Sequence, residues 1–206
     1  MNKCVFTIAR SYGSGGRTIG KMIAEQLGIP FYDRELLYLA SEDSGIRLEL
    51  FGKMDETVKT SILDPFSDKY KGGVIPPESS DFVSDRNLFN YQAKIIHDLY
   101  EKGPCVIMGR CADYLLKDCP DVVKLFVWAP KEDCVKNVVD ITLVDEKEAR
   151  RRIRKIDAHR SKYYRYYTGN DWDDVRNYDL CLNSSALGFE KTTELIEEYA
   201  RIKCGE

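Results

Sequence analysis

The segment that most restricts this chain is its first strand-to-helix transition. Cys4–Ala9 (CVFTIA) is an apolar, β-branched run too short for a helix, and it leads into Arg10-Ser11-Tyr12-Gly13-Ser14-Gly15-Gly16-Arg17-Thr18. From Gly16 the apolar period changes: Ile19, Met22, Ile23 and Leu27 recur at intervals of three and four until Gly28 stops the pattern. A buried strand, a glycine turn and a helix in direct succession point to an α/β fold.

The turn has its own chemistry. Glycines leave backbone N–H groups unobstructed, and a helix N-terminus adds partial positive charge, so Gly13, Ser14, Gly15 and Gly16 are suited to cradle phosphates. Gly16-Arg17-Thr18 fills the place where a P-loop carries Gly, Lys and Ser/Thr, while Ser11 stands where the first glycine is usual. Arg17 is thus expected to meet the outer phosphates of ATP, and the Thr18 hydroxyl to hold Mg²⁺. Arginine keeps the lysine's charge but is planar and bidentate. A plain glycine turn between strand and helix is the competing reading, and the Arg-Thr pair at this offset weighs against it.

The remaining chain alternates. Ile29–Tyr32 reads as a second strand, with Asp33 capping a helix that carries Leu36, Leu37 and Ala40. Residues 46–60 read as another helix, and 64–85, rich in Pro, Gly, Ser and Asp, as a long mobile loop. Helical spacing returns at Leu88, Tyr91, Ile95 and Leu99 and ends at Gly103-Pro104; Cys105–Met108 and Val122–Trp128 are apolar strands. Helices are expected over 131–140 and 146–166, a last strand over Tyr178–Leu182, and a closing helix over 189–203. The prediction is a three-layer sandwich: a central parallel sheet of about five strands with helices on both faces. One domain suits 206 residues, with an insertion at 46–85 and a helical lid at 150–170.

Composition excludes several classes. No apolar run approaches the ~20 residues that span a bilayer, and neither a signal peptide nor a membrane anchor is read. A net charge of −3 argues against a nucleic-acid binder. Positive charge is nevertheless concentrated between Arg150 and Arg165, opposed there only by Asp157, as suits a local anion site. The seven cysteines include no C-x-x-C pair and read as reduced thiols of a cytoplasmic protein.

Ile8–Leu37 (IARSYGSGGRTIGKMIAEQLGIPFYDRELL), Cys105–Leu115 (CVIMGRCADYL) and the Arg-rich segment ending in Tyr167-Thr168-Gly169 resemble the cytidylate kinase-like proteins over nearly the whole chain. The resemblance implies a P-loop nucleoside monophosphate kinase using ATP and Mg²⁺ on a small nucleotide, with CMP or dCMP first. It places Asp33 near the acceptor's ribose and Arg110 of Gly109-Arg110 on the acceptor. The motif's Asp is here Cys111, with Asp113 two positions on. In the lid, Asp157-Ala158-His159-Arg160 matches D-x-x-R, whose arginine reaches phosphate, and Arg154 stands beside the position of a second lid arginine.

Arg154, Asp157 and Arg160 are spaced to share one helical face, with Asp157 set to orient both arginines and Ile153 and Ile156 turned to the core. Tyr163, Tyr164, Tyr166 and Tyr167 read as lid packing. Phosphoryl transfer needs cations around the moving group, which agrees with the catalytic roles that the resemblance implies for Arg110 and Arg160 and that the turn's spacing suggests for Arg17. Two alternatives remain open: a kinase for another small metabolite, motivated by Cys111, and a nucleotide-binding regulator with little transfer, motivated by Ser11 and Arg17.

Overall fold

The computed structural model describes residues 4–56 and 73–205. Along the chain the elements are β1 (Val5–Arg10), α1 (Gly16–Leu27), β2 (Phe31–Tyr32), α2 (Glu35–Ser44), α3 (Leu48–Glu56), α4 (Asp85–Lys102) and β3 (Cys105–Met108). They continue with α5 (Ala112–Leu115), β4 (Val122–Trp128), α6 (Lys131–Thr142), α7 (Glu146–Thr168), β5 (Leu180–Asn183) and α8 (Ser184–Cys204).

The five strands are parallel in the order β2-β3-β1-β4-β5, with Val5 opposite Cys105 on one side and Val122 on the other. Period-two alternation divides β1 between two cores. Phe6 and Ile8 pack with Ile19 and Ile23 of α1 and with Ile196 and Ala200 of α8. Val5 joins Ile107 and Val122 beneath α2, α4 and the end of α7. The three-layer α/β sandwich expected from the sequence is the fold observed. Because β3 and β4 leave β1 on opposite sides, the crevice of the sheet opens beyond the carboxyl end of β1, beside the glycine turn. No helix among the described residues is long and apolar enough to cross a membrane.

Caps set several boundaries. The Asp145 carboxylate accepts the Glu148 N–H at 2.7 Å and starts α7. Gly169, at φ 75°, ends it in a left-handed cap. Gly188 takes non-helical angles inside α8, so the regular helix runs from Phe189, as the periodicity predicts.

Several expectations are corrected. Asp33 does not cap α2: Arg34 is the N-cap, and the Asp33 carboxylate is bonded to Arg17 instead. The helix expected at 46–60 is α3, and residues 57–60, with 64–72 of the expected loop, lie outside the described residues. The described part of that loop is tied to α4. Asn87 bonds both the N–H (2.7 Å) and the carbonyl (3.1 Å) of Ile75, and Asn90 donates to Gly73 O. Cys4 and Cys204 are joined as a disulfide, against the reading of seven reduced thiols. The sheet brings the start of β1 and the end of α8 to a Cα separation of 6.0 Å, a geometry that a sequence separation of 200 cannot reveal. Cys105, Cys111, Cys119, Cys134 and Cys181 remain thiols.

Candidate active site

The glycine turn is held by its carbonyls. Asn137 Nδ2 of α6 donates to Gly13 O at 2.8 Å, and the Ser184 hydroxyl donates to Ser14 O at 2.6 Å. The buried Ser14 hydroxyl lies 2.9 Å from Ser11 O and 3.0 Å from Val127 O. With these carbonyls anchored outward, the first α-helical bond is Ile19 N–H to Gly15 O at 3.0 Å. The N–H groups of Gly16, Arg17 and Thr18 therefore precede the ladder. Gly13 and Gly15 have φ of 88° and 78°. A Cβ on Gly13 would come 2.5 Å from Cys134 O, and one on Gly16 would come 2.7 Å from Arg10 Cβ. Close packing against β1 and α6 thus requires glycine here. The arrangement fits a polyphosphate: oriented N–H donors at a helix N-terminus, flanked by the exposed Arg17 and Thr18.

Beside the turn is a cavity of about 580 Å³, whose wall includes Arg10, Arg17, Asp33, Arg110, Asp113 and Arg160. Asp33 is its charge hub. Arg17 Nε donates to Asp33 Oδ2 at 2.7 Å, Arg10 Nη2 stands 3.9 Å from Oδ1, and Arg110 Nε donates to the Asp33 carbonyl at 3.4 Å. Burial works to raise the Asp33 pKa, but the Arg17 hydrogen bond and the charges of Arg10, Arg17 and Arg110 together outweigh it and hold the carboxyl low.

The end of β3 is unusual. Gly109, Arg110 and Cys111 take successive φ values of 68°, 56° and 58°, and only the first is glycine. Two non-glycine residues in the left-handed region store strain of a kind that collects at functional sites. Arg10 lies against Gly109: a Cβ there would meet Arg10 Nη1 at 2.5 Å.

From the far side α7 supplies Asp157 and Arg160. Asp157 Oδ1 accepts the Tyr12 N–H at 2.8 Å, and Arg160 Nη1 donates to Arg10 O at 2.9 Å and to Asp157 at 3.3 Å. Burial dominates this pair. It raises the Asp157 pKa despite Arg160 and lowers the Arg160 pKa despite Asp157. The Arg160 guanidinium also lies 5.7 Å from the centre of the Tyr12 ring.

Arg17, Asp33, Arg110, Asp113 and Arg160 therefore share one cavity wall, next to the Gly13–Thr18 turn. Arg154 does not join them. Its side chain is exposed, and among the described residues the salt bridge of Asp157 on this helix is with Arg160, so the predicted face with two arginines does not form. Ile156 lines the cavity instead of facing the core, whereas Ile153 is buried against α6. Asp113 is buried and committed: the Tyr164 hydroxyl donates to Oδ2 at 2.6 Å, and backbone N–H groups of Asp113 and Tyr114 also bond the carboxyl. Burial nevertheless pushes its pKa up to about 6. Tyr163, Tyr164 and Tyr167, expected as lid packing, belong to the main core cluster, and Phe89 stacks on Tyr167 at 4.0 Å.

Arg10, Tyr12, Arg34 and His159 line the cavity but were not picked out from the sequence. For Arg10 a signal existed: it is the charged last residue of the strand leading into the glycine turn, where α/β crevices open.

The Cytidylate kinase-like family profile matches residues 5–186. A cytidylate kinase of Methanopyrus kandleri is 26% identical over 202 residues, covering 94% of this chain and 91% of that one. One from Methanosarcina barkeri is 26% identical over 180 residues, covering 86% of each. The crystal structure of an uncharacterized protein from Eubacterium ventriosum superposes with a TM-score of 0.71 at 27% identity, covering 96% of this chain and 98% of that one. A gluconokinase from Sinorhizobium meliloti, at 16% identity, has a TM-score of 0.54 over 98% of this chain and 94% of its own, a likeness of fold.

Proposed function

The chain belongs to the cytidylate kinase-like family, and we propose that it moves the γ-phosphoryl group of ATP, with Mg²⁺, to a nucleoside monophosphate, CMP or dCMP first. The observation that carries this reading is the set of guanidinium groups, Arg17, Arg110 and Arg160, lining the cavity wall beside the phosphate turn. An acceptor phosphate oxygen in the cavity would attack the γ-phosphorus in line, and the bond to the β,γ-bridging oxygen would break to leave ADP.

The residues have distinct tasks in this reading. The N–H groups of Gly13–Thr18 hold the ATP phosphates. Arg17 meets charge on the transferring group, while Arg110 and Arg160 hold the acceptor phosphate and bring it into line. Asp157 orients Arg160, and Arg154 stays outside. No group of three or more His, Cys, Asp or Glu among the described residues is arranged to hold a metal ion. Mg²⁺ would therefore be held by the Thr18 hydroxyl, phosphates and water, and would neutralise phosphate charge when bound.

A coupled ADP-release assay across CMP, dCMP, UMP, AMP and GMP tests the proposal. CMP or dCMP should drive the fastest release, and failure of every nucleotide to raise release above ATP alone overturns it. Cys111 in the place of the family's Asp keeps a second reading in view, a kinase for another small acceptor, which such a failure would favour. Residues 150–168 are proposed as a lid that closes when both nucleotides are present. Their amide exchange should slow most with CMP and an ATP analogue together, and equal protection in all states refutes closure.

A further inference from the structure

We infer that Asp33 and Phe31 are positioning residues that clamp Arg17 by one edge and one face, making arginine, and not lysine, the cation this phosphate turn requires. The inference rests on the phosphotransferase reading for what Arg17 does, and on geometry for the clamp itself. Arg17 Nε donates to Asp33 Oδ2 at 2.7 Å, and its guanidinium carbon lies 5.8 Å from the centre of the Phe31 ring, within cation–π range. Both contacts come from the short edge strand β2 and the residue just after it, while Arg17 itself is at the start of α1. β2 thus sets the angle of a side chain that belongs to the phosphate turn.

The chemistry of the two cations decides what the clamp does. Arginine has five N–H donors spread over a rigid plane, and the Asp33 bond uses the one on Nε. One N–H of a terminal Nη group shares the Nε edge with Asp33; the other three Nη N–H bonds point away from the carboxylate, so they can meet phosphate oxygens while the anchor holds. A lysine carries its charge on one nitrogen, so bonding Asp33 would draw the whole charge to the carboxylate. An ion pair whose arginine side chain is 54% exposed adds little to stability, so its consequence is expected in the kinetics. Asp33 lines the acceptor cavity, and contact with the acceptor's ribose is the alternative role that the experiment must separate.

The clamp has a readout that needs no turnover. In a ¹⁵N–¹H spectrum the Arg17 Nε–H signal, identified by its loss in Arg17→Lys, should lie apart from the solvent-exposed arginines and join them in Asp33→Asn. A signal at the bulk position in the unmodified protein refutes the clamp, even if no nucleotide in the ADP-release panel turns over.

The kinetic arm uses the acceptor that this panel identifies. Asp33→Asn and Arg17→Lys should each lower kcat about 10²-fold, the scale of an ångström-level misplacement, with acceptor KM nearly unchanged. In the Arg17→Lys background, Asp33→Asn should change kcat by no more than about twofold, as the anchored group is already gone. Phe31→Leu keeps the apolar bulk and removes the ring face; it should lower kcat about threefold and serves if Asp33→Asn fails to fold. The inference is overturned if Arg17→Lys turns over normally, or if Asp33→Asn costs the same in both backgrounds. It is equally overturned if Asp33→Asn raises acceptor KM while leaving kcat intact, which would make Asp33 an acceptor ligand.

Discussion

Replacing Arg160 by alanine should weaken both the fold and the reaction, and the stability effect carries a pH signature. Two losses add. The guanidinium bond to Arg10 O at 2.9 Å stitches α7 to β1, and a hydrogen bond from a charged donor is worth about 1.5–3 kcal/mol. The second loss falls on Asp157, left in a largely buried site without its ion-pair partner. A fully buried orphaned charge costs about 3–5 kcal/mol. Here the side chain is 23% exposed and keeps the Tyr12 N–H at 2.8 Å, so the second loss shrinks to about 1 kcal/mol and the two together come to about 2.5–4 kcal/mol at neutral pH.

The direction of the Asp157 pKa gives the sign. Burial raises it in the folded protein even with Arg160 opposing, and removing Arg160 raises it further. A carboxyl whose folded pKa exceeds its unfolded value subtracts stability as pH rises through that window, and subtracts nothing below the unfolded value of about 4. The Arg160→Ala deficit should therefore be larger at pH 7 than at pH 4. Adding Asp157→Asn, whose amide oxygen can still accept from Tyr12, should recover part of it at pH 7. Urea unfolding at both pH values, with the m-value monitored, measures this. A deficit independent of pH and unrelieved by Asp157→Asn refutes the account of a buried, desolvated pair.

Arg17→Ala should lower turnover by about 10²-fold or more while leaving urea stability almost intact, and near-normal turnover in the folded variant would remove Arg17 from the phosphoryl site. Thr18→Val should weaken the Mg²⁺ dependence of ATP affinity, measured by titration calorimetry with and without the metal; an unchanged dependence counts against a metal-binding hydroxyl. Asp113, with its folded pKa pushed up to about 6, should subtract stability as pH rises between about 4 and 6. Asp113→Asn should flatten that part of the stability profile while Tyr164 keeps an oxygen to donate to, and a profile unchanged by the substitution refutes the assignment.

Much of the architecture could be read from the sequence because its signals act over a few residues. CVFTIA and CVIM are too apolar and too short to be anything but buried strands between turns, and Ile19, Met22, Ile23 and Leu27 mark one face of a helix. The glycine turn between β1 and α1 was legible for the same reason, since its glycines and the Arg17-Thr18 pair are consecutive. The kinks and caps at Gly169 and Gly188 also follow from local backbone freedom.

The partnerships inside the site had no such signal. Asp33 looks like a helix cap in the sequence because it directly precedes a helix, yet its carboxylate turns to Arg17, sixteen residues earlier on a neighbouring element. Tyr12 and Asp157 meet across 145 residues, and Cys4 and Cys204 across 200. The choice of Arg160 over Arg154 as the partner of Asp157 was hidden too, because both are three residues away. A parallel sheet brings the carboxyl ends of distant strands to one edge, and charges gathered there at low dielectric choose partners by distance and desolvation. Sequence spacing records which residues share a helix face. Which of them is buried against an opposite charge was decided only when β1, β2, β3 and α7 came together around one cavity.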